Sequence, residues 1–246
     1  MTVMKEYEAY LFDLYGTLVD IHTDEYRPSF WKKMCGVFAE CGIRYEWKPL
    51  RDAYFREVAD LEEEEKEPGH HIEIDLQTVF EKLLQTEDAI TVRKAMEKFR
   101  NLSTTHLRLY AGGKELLRSL KENGKTVILL SNAQEVFTLR ELEHLGIRDL
   151  FDRIFISSSV GYKKPDPAFF RHALKECGLK AEECLMIGND PFCDVEGAKG
   201  LGIDSCYIRS ALSPKTQEDK QADYVLDGMD LRKLKRMIRK SDYNEK

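Results

Sequence analysis

The chain of 246 residues is 42% hydrophobic and 33% charged, a balance that excludes a disordered or collagen-like polymer and leaves room for one large domain or a domain with an insertion. Its apolar runs, such as residues 126–130, fall far short of the roughly 20 residues that cross a bilayer, and the opening MTVMKEYEAY carries charge where an export signal has an apolar stretch. A net charge of −6 offers no basic field for a nucleic-acid backbone, so a cytoplasmic protein with neither nucleic-acid nor membrane partners is expected.

The first β-rich apolar run, residues 9–14, predicts a strand that delivers Asp13 into a tight turn at Tyr15, Gly16 and Thr17. Residues 25–107 then show helical stripes and no convincing strand. Phe30, Trp31, Met34, Val37, Phe38 and Cys41 share one face, as do Leu50, Tyr54, Val58 and Leu61. Leu76, Val79, Phe80, Leu83 and Leu84 make a third stripe, and Ala95, Met96, Phe99 and Leu102 a fourth. Residues 21–108 therefore read as a helical domain inserted into a core made of residues 1–20 and 109–246. Most of the net negative charge lies there: residues 20–108 hold 19 acidic against 14 basic side chains. Between its second and third stripes come the acidic run at residues 62–65, Pro68-Gly69 and the pair His70-His71. Adjacent histidines point in different directions, so this segment is expected to be a solvated connection.

From residue 109 onward, short β-rich runs alternate with helices, the pattern of a parallel sheet with crossover helices. Strands are predicted at 126–131, 153–157, 184–188, 205–209 and 223–226. Helices are predicted from Gly112-Gly113 to Asn123-Gly124, at 135–145 and at 167–177, the last two closed by Gly146 and Gly178. A short helix is expected at 195–200. The basic tail, with Arg232, Lys233, Lys235, Arg236, Arg239 and Lys240 interleaved among Leu231, Leu234 and Ile238, predicts a terminal amphipathic helix packed on the sheet. The six cysteines show no CxxC pair and read as free thiols, mostly buried.

Several chemically capable residues fall at or just past predicted strand ends: Asp13; Ser131-Asn132; Lys164; and Asn189, Asp190 and Asp194. In a parallel sheet these ends meet along one edge, so residues far apart in sequence form a single pocket. A strand-end carboxylate such as Asp13 is placed to attack an electrophile and form a covalent intermediate. Ser131 and the amides that follow it suit phosphate oxygens, and Lys164 offsets their charge. Asp13, Asp190 and Asp194 are hard oxygen ligands suited to Mg²⁺. Phosphoryl transfer needs this combination of positioning and charge neutralisation.

These motifs, in this order, resemble those of the haloacid dehalogenase (HAD) superfamily over residues 9–20 and 110–210. The resemblance implies an α/β Rossmann-like parallel sheet with an inserted all-helical cap domain. It also implies Asp13 as nucleophile, Gly16, Thr17, Ser131 and Asn132 around the substrate, Lys164 as charge stabiliser, and Mg²⁺ held by Asp13, the Tyr15 position, Asp194 and either Asn189 or Asp190.

The sequence departs from the superfamily's phosphatases at two places. Tyr15 stands where they carry a second aspartate for proton transfer, as it does in the superfamily's dehalogenases, which expel halide without a proton. Tyr15 is then either an alternative proton donor or a handicap to that step. Asn189 directly follows Gly188 where an aspartate is usual, and the spacing leaves Asn189 and Asp190 both open as metal ligand. The expected activity is Mg²⁺-dependent hydrolysis of small phosphorylated metabolites through an aspartyl-phosphate. The alternatives are a metal-independent 2-haloacid dehalogenase and a phosphate- or protein-binding module without turnover.

Overall fold

The computed structural model of the chain describes residues 4–215 and 222–241. The first three residues of the opening segment read above for an export signal lie outside this range, and nothing is described of the Arg239 and Lys240 side chains. Six strands form one sheet: β1 (Ala9–Phe12), β4 (Thr126–Ser131), β5 (Arg153–Ile156), β6 (Cys184–Gly188), β7 (Asp204–Arg209) and β8 (Tyr224–Asp227). Their order is β5-β4-β1-β6-β7-β8 and every neighbouring pair is parallel. The chain runs outward from β1 in one direction and later in the other, so the sheet's topological switch lies beside β1, where open α/β sheets bind ligands.

The three central strands are buried on both faces, which is why they read as continuous apolar runs. Tyr10, Phe12, Val127, Leu129, Leu185 and Ile187 point to one side, where α5 (Gly113–Glu122) and α10 (Leu231–Ser241) add Leu116, Leu117, Leu120, Leu231, Leu234 and Ile238. Ala9, Leu11, Ile128, Leu130, Cys184 and Met186 point to the other, covered by Phe169, Phe170 and Ala173 of α8 (Pro167–Cys177). The basic tail is thus an amphipathic helix that completes the first layer.

Four helices separate β1 from the rest of the sheet: α1 (Pro28–Glu40), α2 (Trp47–Glu64), α3 (Leu76–Leu84) and α4 (Ala89–Ser103). They enclose a hydrophobic cluster of their own, in which Trp31, Tyr54, Phe80 and Phe99 meet at ring separations of 5.0 to 6.1 Å. Phe137 of the core helix α6 (Glu135–His144) joins this cluster, so the insertion sits directly on the loop after β4.

Two features correct the sequence reading. β2 (Val19–Thr23) and β3 (Thr104–Leu109) form an antiparallel pair that carries the chain into and out of the insertion and crosses both expected junctions. Leu107 and Leu109 alternate with polar residues and pack on the core, a period-two signal that the end of the fourth helical stripe obscured. The loop with His70 and His71 is exposed to solvent, as expected, but is also anchored to the core. Lys163 N donates to His71 O (2.8 Å) and Glu73 N to Gly161 O (3.0 Å), while the buried Asp166 carboxylate accepts from His71 N (2.7 Å) and contacts His70 Nδ1 at 3.0 Å. Its polar composition reflects pairing with another loop. The six cysteines are all free; Cys184 and Cys206 are fully buried, the rest partly.

The remaining helices are short. α7 (Ser157–Val160) takes over from β5 one residue earlier than the predicted strand end, and α9 (Gly197–Lys199) follows a π-helical turn, Pro191–Glu196, where one short helix was expected.

Candidate active site

Asp13, Ser131 and Asn189 stand at the carboxyl ends of β1, β4 and β6, the three adjacent central strands. Gly16 turns the chain back at φ 85°, and a Cβ there would come within 2.5 Å of the Asn189 amide, so only glycine lets the two loops approach. Thr17, fully buried, donates its hydroxyl to Asp13 Oδ2 at 3.0 Å.

Lys164 enters from the loop after α7. Its ammonium group is 2.9 Å from Asp13 Oδ1 and 2.7 Å from Asp194 Oδ1, and is almost fully buried. Burial works against its charge, but Asp13 and Asp194 outweigh that and hold its pKa above the usual lysine range. Asn132 fixes the lysine's backbone from both sides: Asn132 Nδ2 donates to Lys164 O (2.8 Å) and Lys164 N to Asn132 Oδ1 (2.7 Å). Asn132, expected to touch substrate, has its amide committed to positioning Lys164.

The π-helical turn accounts for the ambiguous spacing in the last motif. A wide turn accommodates one extra residue, so Asn189 and Asp194 both reach the site while Asp190 between them does not. Asp190 Oδ1 accepts from Phe192 N and Cys193 N, each at 2.9 Å, capping the turn. Asp194 Oδ2 accepts from Asp190 N at 3.0 Å. Gly188 is required here too, because a Cβ would lie 2.1 Å from the Asp194 carboxylate.

Asn189 is buried, and its outer amide atom facing Asp13 lies 3.2 Å from Thr17 Oγ1, 3.0 Å from Tyr15 O and 3.3 Å from Asp13 Oδ2. A nitrogen in this position donates to these oxygens. An oxygen there needs a cation among them.

The Tyr15 hydroxyl donates to Glu141 Oε2 at 2.6 Å and lies 3.2 Å from Thr138 Oγ1, both on α6. Burial pushes the phenol well above its usual pKa, and the Glu141 carboxylate adds to the push. Of the two roles expected at this position, the backbone carbonyl is aimed at the site and the hydroxyl is engaged elsewhere. Arg100 of α4 lies over the Tyr15 ring at 5.4 Å and binds Glu141. Sequence reading missed Glu141 and Arg100. The signal was an acid on the stripe of Phe137, Thr138 and Leu142, and a base beside Met96 and Phe99.

Ser131 Oγ is the one buried side-chain polar atom without a hydrogen-bond partner among the described residues. Leaving such a group unsatisfied costs about 1–3 kcal/mol, and its strand-end position beside Asp13 makes it a donor for a ligand oxygen. The arrangement brings together the Asp13 carboxylate, a fixed cation and an unfilled hydrogen-bond donor.

A sequence model described as haloacid dehalogenase-like hydrolase matches residues 7–202. The chain is 25% identical over 225 residues to the glyceraldehyde 3-phosphate phosphatase of Pyrococcus furiosus, covering 91% of this chain and 90% of the relative. It is 26% identical over 203 residues to the (S)-2-haloacid dehalogenase of Pseudomonas sp. strain YL, covering 80% of each. The crystal structure of a HAD phosphatase from Thermococcus onnurineus aligns over 94% of this chain and 97% of that one with a TM-score of 0.60, a likeness of fold at 21% identity.

Proposed function

The chain belongs to the haloacid dehalogenase-like hydrolases, and we propose that it hydrolyses phosphomonoesters of small metabolites, using Mg²⁺ and a covalent aspartyl-phosphate on Asp13. The observation that carries this reading is the unpartnered Ser131 hydroxyl beside the Lys164–Asp13 pair, a socket for an anionic group at the nucleophile.

In this reading the Asp13 carboxylate bonds to phosphorus as the ester P–O bond breaks, and the departing alkoxide takes up a proton. Water then attacks the aspartyl-phosphate and releases orthophosphate. Lys164 offsets the charge of Asp13 and Asp194 throughout, Ser131 donates to a phosphoryl oxygen, and Thr17 orients the nucleophile. The helical insertion acts as a cap, anchored to the core at its 70–76 loop.

The residues present fit a cation. Asp13 Oδ2, Tyr15 O and Asn189 Oδ1 would hold it, the amide atom lying 3.0 Å from Tyr15 O and 3.3 Å from Asp13 Oδ2, whereas Asp194, also expected as a ligand, has its two oxygens on Lys164 Nζ and Asp190 N. This set contains one carboxylate, in keeping with the absence, among the described residues, of any group of three His, Cys, Asp or Glu side chains able to hold a metal. Mg²⁺ is commonly bound by one or two carboxylates together with substrate phosphate. When bound, it neutralises charge on the nucleophile and the phosphoryl oxygens.

A second reading, halide displacement from a 2-haloacid, is favoured by the engagement of the Tyr15 hydroxyl with Glu141, because halide leaves without a proton. Phosphate release should be measured against a metabolite panel that includes glyceraldehyde 3-phosphate, with Mg²⁺ and with EDTA, beside halide release from 2-chloropropionate. Mg²⁺-dependent phosphate release supports the first reading. Halide release in EDTA replaces it with the second, and neither product, with phosphate still bound, leaves a binding module. No helix among the described residues is long and apolar enough to cross a membrane.

A further inference from the structure

We infer that Asn189 is the site's own stand-in for the cation: without metal its Nδ2 donates to Tyr15 O and Asp13 Oδ2, and when Mg²⁺ enters the amide turns over to present Oδ1. This rests on the metal-assisted reading above and goes beyond it by assigning the shape of the metal-free site to one side chain.

Four observations support it. With nitrogen toward Asp13, the amide reaches Tyr15 O at 3.0 Å, Thr17 Oγ1 at 3.2 Å and Asp13 Oδ2 at 3.3 Å, and its oxygen faces donors on the other side. In the opposite orientation the amide oxygen meets the Tyr15 and Asp13 oxygens, a contact that a cation relieves. The side chain is only 5% exposed and abuts Gly16, whose Cβ position lies 2.5 to 2.8 Å from the amide atoms. The group is therefore confined in place, yet exchanging its oxygen and nitrogen by rotation changes no volume. Finally, Lys164 is already shared between Asp13 and Asp194 and reaches only Asp13 Oδ1, so Asp13 Oδ2 and Tyr15 O face the amide with the Thr17 hydroxyl as the one other donor, to Asp13 Oδ2.

The amide accounts for a feature that a carboxylate at this position would not allow. A second acid facing Asp13 Oδ2 would repel it until a metal arrived, and the loop from Asp13 to Thr17 would be held only in the loaded enzyme. With asparagine the loop keeps its shape without metal, and the metal is held more weakly because one ligand charge is missing.

The test uses the full chain with ¹⁵N-labelled asparagine side chains, and requires no substrate. In EDTA the Asn189 NH₂ pair should resist solvent exchange, and Mg²⁺ should shift it and remove that protection. Asn189→Asp should lower the melting temperature in EDTA by about 5 °C or more and regain it in Mg²⁺, with Mg²⁺ bound about tenfold more tightly by calorimetry. An Asn189 resonance that exchanges freely in EDTA, or ignores saturating Mg²⁺, overturns the inference. So does an Asn189→Asp protein as stable as wild type in EDTA. These readouts are independent of turnover, so loss of the phosphatase reading would appear separately, in the phosphate-release assay.

Discussion

Arg100, near the end of the last helix of the insertion, grips Glu141 of the core through two hydrogen bonds, Nε to Oε1 at 2.6 Å and Nη2 to Oε2 at 3.2 Å. Both side chains are largely buried, at 18% and 11% exposure, and the pair also receives the Tyr15 hydroxyl. One ion pair thus joins the insertion, the helix after β4 and the loop that follows Asp13. A buried pair gives little net stability over an apolar replacement, but removing one partner strands the other.

Glu141→Gln or Arg100→Met alone should therefore destabilise the protein by about 3 kcal/mol, and the two together by less than the sum. Urea unfolding of the two single variants and the double variant measures this. Additive losses would mean that the pair carries no coupling.

Tyr15→Phe should leave turnover of alkyl phosphates, whose leaving groups need a proton, within about threefold of wild type, since a working general acid would cost 10²-fold or more on removal. The hydroxyl is bound to Glu141, away from any leaving group. Aryl phosphates should turn over much faster than alkyl phosphates in wild type, with a burst in the first turnover as aspartyl-phosphate accumulates. Equal aryl and alkyl rates without a burst would point to another proton donor at the site.

Asp13→Asn should abolish turnover with the fold retained, because Lys164 keeps Asp194 as partner. A loss below the 10²-fold expected for a missing nucleophile, with near-wild-type circular dichroism, would rule out covalent catalysis at Asp13.

Stability without metal should carry a pH signature from Asp194. Burial pushes this carboxyl up to about 7, against the pull of Lys164 and with the help of Asp13. The native state thus holds a proton that the unfolded chain, with its ordinary carboxyl, releases near pH 4. The stability this group contributes is whole below about pH 4 and is lost as pH rises to about 7. Urea midpoints in EDTA should fall more steeply over that range for wild type than for Asp194→Asn. Parallel slopes would place the proton elsewhere.

The core was legible because burial on both faces writes itself as short apolar runs, and the predicted 126–131, 184–188 and 167–177 coincide with β4, β6 and α8. Asp13, Ser131 and Asn189 could be brought together on paper because parallel strands share one end. Asp190 could not be separated from Asn189, since a π-helical turn leaves no periodic mark in six residues. Tyr15's partner was hidden for a different reason. Glu141 lies 126 positions away, and only the packing of the insertion onto α6 brings Arg100 to the same carboxylate.

The antiparallel β2–β3 pair has one more consequence. Thr23, where the chain leaves for the helices, lies opposite Thr104, where it returns. Eighty residues thus depart and re-enter through adjacent doorways, and the remaining chain needs only a tight turn to close the gap. Chain ends this near each other allow a segment to be exchanged with little disturbance to its host. The helical portion is in this sense a cassette. It can lengthen or shrink away from its contacts with α6 while Asp13 and its neighbours keep their places, provided that a base in the position of Arg100 still meets Glu141.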